Sequence, residues 1–398
     1  MSERLFVTFN AGSSTVKIGL FALTEAGPKR VGKGVIDFRE PPLRFRLIEG
    51  PDTFDIALEA QPGDPLDSVL GEAFRRLSWH FDLGSVVAMG HRIVHGGDSF
   101  DGPVGVDDAV LEALEALVPL APLHQPQGLG LIRAIRELRP ELPQTASFDT
   151  AFHRTHAAIV RRFAIPRAMH DQGIRRYGFH GLSYRFIAGE LARHEPTLAK
   201  GRVVVAHLGS GASLCAMRNL ESVATTMGFS ALDGLMMGTR TGALDPGAVL
   251  YLMEIEKLSL AEVGRVLYHE SGLLGISGIS SEPRVIVTHE GDDGESGERA
   301  RIALDLFVRR VVREIGALVA VLGGLDLLVF TAGIGEHNAF IRTRVCAAFD
   351  YLGLRIDEAA NTADAAVIST TDSAVRVGIE PTNEEWIAAH AAHDLLNA

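Results

Sequence analysis

Short apolar runs at residues 5–9, 15–21, 86–90, 203–207 and 327–331 alternate with stretches whose apolar residues recur at helical spacing, and this alternation predicts an α/β fold. A helix is predicted over 107–118, where acidic residues open the pattern and Pro119 follows its end. A second, longer helix is predicted over 297–322, with Ile302, Leu306, Val312, Ile315 and Val319 as its packing face. The acidic, glycine-rich segment 291–297 before it reads as a solvated loop without the spacing of a calcium loop. The first two runs are separated by a small polar turn, NAGSS (10–14), after which Lys17 interrupts the returning strand. Such a turn is either an ordinary hairpin or a cradle whose backbone N–H groups close on an anion.

An internal similarity bears on that choice. FVTFNAGSST (6–15) resembles VVAHLGSGAS (204–213), each reading strand, Gly/Ser turn, strand. Two matching turns suggest a duplicated domain and lean towards phosphate binding. A third glycine segment, FTAGIGE (330–336), follows a run of buried character and suits close approach of a nucleotide's base or sugar. Neither the dinucleotide fingerprint nor the Gly-x-x-x-x-Gly-Lys-Ser/Thr loop occurs, so hairpins would have to hold the phosphates.

Composition narrows the classes. At 398 residues two domains are expected, and 46% hydrophobic content fits a packed globular protein. A net charge of −12 argues against nucleic acid or an anionic membrane as the partner. Cys215 and Cys346 lie far apart, outside any metal-binding spacing, which suits a reduced cytoplasm. No secretion signal is read at the start, and the apolar run 316–330 is interrupted by Gly323, Gly324 and Asp326, so no membrane span is expected.

Candidate chemistry sits where histidine or arginine is flanked by glycine: HRIVHGG (91–97), PLHQP (122–126), FDTAFH (148–153), YGFHG (177–181), HLGSG (207–211) and GTRTG (238–242). Arg92 and Arg240 suit the charged oxygens of a phosphoryl group in transfer, and Asp149 and Glu384 are carboxylates available to Mg²⁺ or its waters. A metal-dependent hydrolase using His91, His95, His153 and Asp149 is the alternative, weakened by the cation Arg92 between two of its proposed ligands.

Taken in order, FNAGSS (9–14), HRIVHGG (91–97), FDTAFH (148–153), YGFHG (177–181), HLGSGAS (207–213), MGTR (237–240), FTAGIGE (330–336) and TNEE (382–385) resemble the acetate and propionate kinase family of the sugar kinase, Hsp70 and actin superfamily. The likeness covers essentially the whole chain. It implies a two-domain, duplicated actin-like (ribonuclease H-like) α/β core with a nucleotide cleft between the domains. One domain would comprise residues 1–150 plus 385–398, and the other, carrying the nucleotide site, 151–384. The implied reaction is reversible transfer of the γ-phosphoryl of ATP to acetate, giving acetyl phosphate and ADP, with Mg²⁺ or substituting Mn²⁺, in a cytoplasmic homodimer. A propionate kinase of the same mechanism is the nearer alternative.

Carried over by motif, Asn10 and Glu384 lie at the metal, while Arg92, His180 and Arg240 surround the transferring phosphoryl. Asp149 falls at the family's catalytic aspartate. Ser14, Lys17, His207, Leu208, Gly209, Ser210 and Gly211 contact the nucleotide phosphates, and Gly333, Ile334 and Gly335 the adenosine. Val94, Leu123, Phe179 and Ala231 form the acyl-methyl pocket. Two positions depart from the family's habit: Ser210 stands where asparagine is common, and Ala231 where proline is common. Independently of the family, acetate is already ionised at pH 7 and needs no general base, so Asp149 reads as an aligner of Arg92 or of a metal-bound water.

Overall fold

A computed structural model describes residues 4–12, 15–25, 27–38, 41–61 and 63–397. The chain divides into two compact units. The first holds the residues up to Phe152 together with those from Asn383 onward, and the second runs from His153 to Thr382.

In the first unit, β1 (Leu5–Ala11), β2 (Thr15–Thr24), β3 (Gly27–Asp37), β4 (Arg44–Glu49), β5 (Asp52–Ala57), β6 (Val86–Ile93), β7 (Val104–Gly105) and β8 (Gln144–Phe148) form one sheet in the order β5-β4-β3-β2-β1-β6-β8-β7. The meander from β1 to β5 is antiparallel, whereas β6 runs parallel to β1 and β8 parallel to β6. Every residue of β1 is buried, as a strand covered on both faces must be. The helices Leu66–Leu77 and Gln125–Leu138 pack against one another, and Val69, Leu70, Leu131 and Ile135 join Val7, Phe9 and Ile18 in one core. The helix Glu384–Asn397 lies against β1, β6 and β8, with Ala389 and Ala392 packed on Phe6, Phe21 and Ala88.

The second unit repeats the plan. Its strands β9 (Arg202–Leu208), β10 (Ala212–Arg218), β11 (Glu221–Thr225), β12 (Leu327–Thr331) and β13 (Arg376–Ile379) pair in the order β11-β10-β9-β12-β13. The β9-β10-β11 meander is antiparallel, and β12 and β13 continue in parallel. Five consecutive strands of the first sheet, β3-β2-β1-β6-β8, have this same order and sense. The helix Glu295–Leu322 packs on β9 and β10. Its buried face runs through Ala300, Ala303, Leu304, Phe307, Val311, Ile315, Leu318, Val319 and Leu322. Only Ile315 and Val319 of the predicted face belong to it, and Ile302 is 51% exposed. The small residues Ala300 and Ala303 let the helix approach closely and so set the face, which a search for large apolar residues passes over. The helix also starts two residues earlier than predicted, within the segment read as a loop. The other predicted helix is Asp108–Glu115, capped by the Asp107 side chain on the backbone N–H of Val110 at 2.8 Å. Among the described residues no helix is long and apolar enough to cross a membrane.

Candidate active site

In the first unit the chemistry gathers at the ends of neighbouring strands. Asn10 is the penultimate residue of β1, its parallel partner on β6 is Arg92, and Asp149 follows β8 directly. Sheet order alone therefore brings together residues far apart in sequence. Arg92 donates from Nε to Asp149 Oδ1 at 2.9 Å and from Nη2 to Asp149 Oδ2 at 2.5 Å, a bidentate pair with Asp149 almost wholly buried. Its Nη1 donates to Asn10 Oδ1 at 2.8 Å and lies 3.8 Å from Glu384 Oε2. Asn10 Nδ2 in turn donates to the same Glu384 oxygen at 3.0 Å. Burial works against the Arg92 charge, but Asp149, Glu384 and Glu385 outweigh it and raise the pKa further above its ordinary value. Lys17 is exposed and stands opposite Asn10 in the β1-β2 register. Ser14 lies outside the described residues. Val94 is buried beyond the end of β6, whereas Leu123 is 43% exposed.

The second unit gathers a different set around the turn Gly209–Gly211, where the Gly209 N–H donates to the Gly211 carbonyl at 3.1 Å. A Cβ on Gly211 would stand 3.4 Å from His180 Nε2 and 3.7 Å from Arg240 Nη1, so both side chains converge on backbone left bare by glycine. Arg240 is braced by donating to the Ala231 carbonyl at 3.1 Å, and the Ser210 carbonyl accepts from Gly238 N–H at 3.3 Å. The His180 and His207 rings stack with centroids 4.2 Å apart. His180 Nδ1 bonds Ser213 Oγ at 2.8 Å, and His207 Nδ1 bonds Ser183 Oγ at 2.8 Å. Leu208 is fully buried at the end of β9.

The turn also meets the third glycine segment. β12 pairs Thr331 with His207, and a Cβ on Gly209 would lie 3.5 Å from that of Ala332. Gly333, Ile334 and Gly335 then form the short helix Ala332–His337, with open space beside Gly333. Arg342, wholly buried, donates to the Gly335 and Glu336 carbonyls at 2.9 and 2.8 Å and anchors that segment. Phe179 is buried, and Ala231 is partly exposed in a turn.

The residues of the hydrolase alternative do not assemble. His91 Nε2 bonds Gln144 Oε1 at 2.7 Å, His95 Nδ1 accepts from Gly97 N–H at 2.9 Å, and His153 bonds Ser222 and the Phe179 carbonyl. Among the described residues no group of three or more histidines, cysteines or acids could hold a metal ion. Sequence reasoning missed Ser183, Tyr184 and Ser213 as supports of the paired histidines. Ser183 and Tyr184 lie one helical turn after His180, which was the available signal. Tyr184 Oη lies 2.5 Å from Ser213 Oγ.

A repeated sheet, each copy carrying polar chemistry at equivalent strand ends and one of them a bare glycine turn beside an arginine, defines a phosphotransferase of the actin-like class. The chain belongs to the Acetokinase family, whose profile matches residues 5–390. It is 45% identical to the acetate kinase of Methylocella silvestris, across 99% of this chain and 98% of that one. Among solved structures it is similar to the acetate kinase of Porphyromonas gingivalis, with TM-score 0.87 and 33% identity over 99% of this chain and 100% of that one. A propionate kinase from Francisella tularensis is similar too, with TM-score 0.89 and 33% identity over 98% and 99% of the two chains.

Proposed function

We propose that the chain moves the γ-phosphoryl group of ATP reversibly to acetate, giving acetyl phosphate and ADP, by direct in-line attack of the acetate carboxylate. The observation that carries this reading is the convergence of His180 Nε2 and Arg240 Nη1 on the Gly211 backbone, in a chain of the Acetokinase family. Fixed donors beside such a turn favour charge that grows on the phosphoryl oxygens in the transition state. Acetate arrives ionised, so no base is required. Both Asp149 oxygens are taken up by Arg92, which supports Asp149 as the aligner of that guanidinium. The turn Gly209–Gly211 would hold the nucleotide phosphates, and the Gly333 segment the adenosine.

The donor set fits Mg²⁺, and Mn²⁺ as its substitute. The Glu384 carboxylate is a hard donor beside the Asn10 side chain, whose amide oxygen accepts from Arg92 here and would have to turn to the ion, and such an ion keeps waters and substrate phosphates around one or two carboxylates. When bound, it would neutralise charge on the β- and γ-phosphate oxygens. A homodimer accounts for the helix Pro246–Glu254, which buries no residue and leaves Leu250 and Tyr251 59% and 53% exposed. Two free, buried cysteines suit the cytoplasm. The test is ATP turnover with acetate, propionate and butyrate, with hydroxylamine trapping of the acyl phosphate. ATP hydrolysis that yields no trapped product with any acid would overturn the reading.

A further inference from the structure

His153 is buried, polar and given no task by the chemistry above. Its Nε2 lies 2.9 Å from the Phe179 carbonyl and its Nδ1 2.8 Å from Ser222 Oγ, while His156 Nε2 reaches the same Ser222 oxygen at 2.8 Å. Burial lowers the His153 pKa to about 4 against the smaller opposing effect of the Phe179 bond. Burial, with His153, Arg161 and Arg176 nearby, lowers that of His156 to about 3. Both rings are neutral at pH 7. A carbonyl only accepts, so His153 carries its proton on Nε2, and bare Nδ1 accepts from the Ser222 hydroxyl. Ser222 then accepts from His156 Nε2–H. The chain of bonds has one direction and ends on the Phe179 carbonyl.

That carbonyl belongs to the turn that delivers His180. Gly178 has φ 82°, and a Cβ there would come within 2.4 Å of His153 Cδ2, so the ring lies flush on the turn's backbone. His180 itself has φ 58°, a left-handed conformation uncommon outside glycine that persists only where its surroundings hold it. We propose that His153 is a positioning residue whose Nε2–H, held in that tautomer by Ser222, locks the Gly178–His180 turn and so aims His180 Nε2 at the Gly209–Gly211 turn. The inference rests on the proposed role of His180 at the transferred phosphoryl.

Two variants separate the hydrogen bond from mere filling of space. His153→Leu keeps bulk without a donor, whereas the amide of His153→Gln can replace Nε2–H. His153→Leu is expected to lower kcat by about 10- to 100-fold, the scale of a small misplacement of a reacting group, with KM for ATP within about twofold. His153→Gln should recover most of that loss. In the His180→Ala background, adding His153→Leu should change kcat by less than about twofold, because the two act through one side chain. Nitrogen-15 NMR of the histidine-labelled wild-type protein should show His153 protonated on Nε2 alone, a measurement that decides even where the leucine variant is recovered unfolded. The inference is overturned by an Nδ1-protonated ring, by equal kcat for the Leu and Gln variants, or by an undiminished Leu effect in the double variant. A slow His180→Ala protein beside a full-speed His153→Leu protein overturns this inference alone. Wild-type kcat in His180→Ala overturns the reading of His180 beneath it as well.

Discussion

The strand ending at Ala11 and the strand ending at Leu208 hold the same place in two sheets of the same order, yet they carry opposite kinds of chemistry. Asn10 and His207 are each penultimate. Across the hairpin Asn10 faces Lys17 and His207 faces Ser213, and on the parallel side their partners are Arg92 and Thr331. One unit thus fills these positions with a cation, an amide and carboxylates held in a charge network. The other fills them with imidazoles and hydroxyls that hydrogen-bond one another. The difference teaches that sheet order sets where side chains meet but leaves their identity free, provided each buried polar group finds a partner.

The strongest way to break the comparison is to remove the Arg240 cation beside the Gly209–Gly211 turn. Arg240→Ala is expected to fold and to lose about 10²–10³ in kcat, the usual cost of one fixed donor to developing charge. Circular dichroism and initial rates check it, and wild-type turnover in a folded variant sinks the role.

Next in size is a stability contrast. Asp149→Ala leaves a largely buried Arg92 without its bidentate partner and should lower the unfolding free energy by about 3 kcal/mol. His180→Ala removes the hydrogen bond to Ser213 and the stack on His207 and should cost about 1 kcal/mol. Urea unfolding of both variants measures the difference, and equal losses would erase the distinction between the units.

Acid sharpens the comparison from another side, because it should treat the units alike. Burial, the leading cause in each case, lowers His91 and His95 in the first unit and His153 in the second to about 4, and His156 in the second to about 3. The ordinary value is 6.5, so the unfolded chain takes up these protons first. Stability should hold above pH ~6.5 and decline as pH falls towards about 4, by at most about 1.4 kcal/mol per pH unit for each histidine. Thermal melts between pH 8 and 4.5 test this, with His91→Gln and His156→Gln each expected to flatten the slope.

The smallest effect concerns Ala231, assigned to the acyl-methyl pocket by resemblance. Ala231→Pro should narrow the range towards acetate, lowering the propionate-to-acetate ratio of kcat/KM by about fourfold, the worth of one methylene. An unchanged ratio removes Ala231 from the pocket.

Much of the fold was legible wherever burial dictates sequence. The apolar run 327–331 coincides with β12. Two other predicted strands stop short of their true ends at Ala11 and Ile93, because Asn10, His91 and Arg92 there read as turn residues when they are the functional ends of strands. β4 was missed although its alternation of exposed and buried residues, from Arg44 to Leu47, has the period of a half-covered strand. The candidate residues were legible as motifs. The pairing of Asp149 with Arg92 was anticipated from charge, and Asn10 with Glu384 from resemblance; that Arg92 joins the two pairs into one network was not, since it follows from which strands neighbour which. His153 was legible only as a possible ligand, because a motif records a residue type and not the carbonyl it meets.

The first unit draws its strands from before Phe152 and one covering helix from after Thr382, with the whole second unit intervening. During synthesis at about 5–20 residues per second, its sheet therefore waits roughly 10–50 s before Ala389 and Ala392 can cover Phe6 and Phe21. Glu384 arrives with the same helix, so the carboxylate beside Asn10 is delivered only after the whole second unit. A nascent chain stalled before Asn383 should yield its first unit to protease more readily than its second. The charge network would then be closed by an act of translation timing as much as by an act of folding.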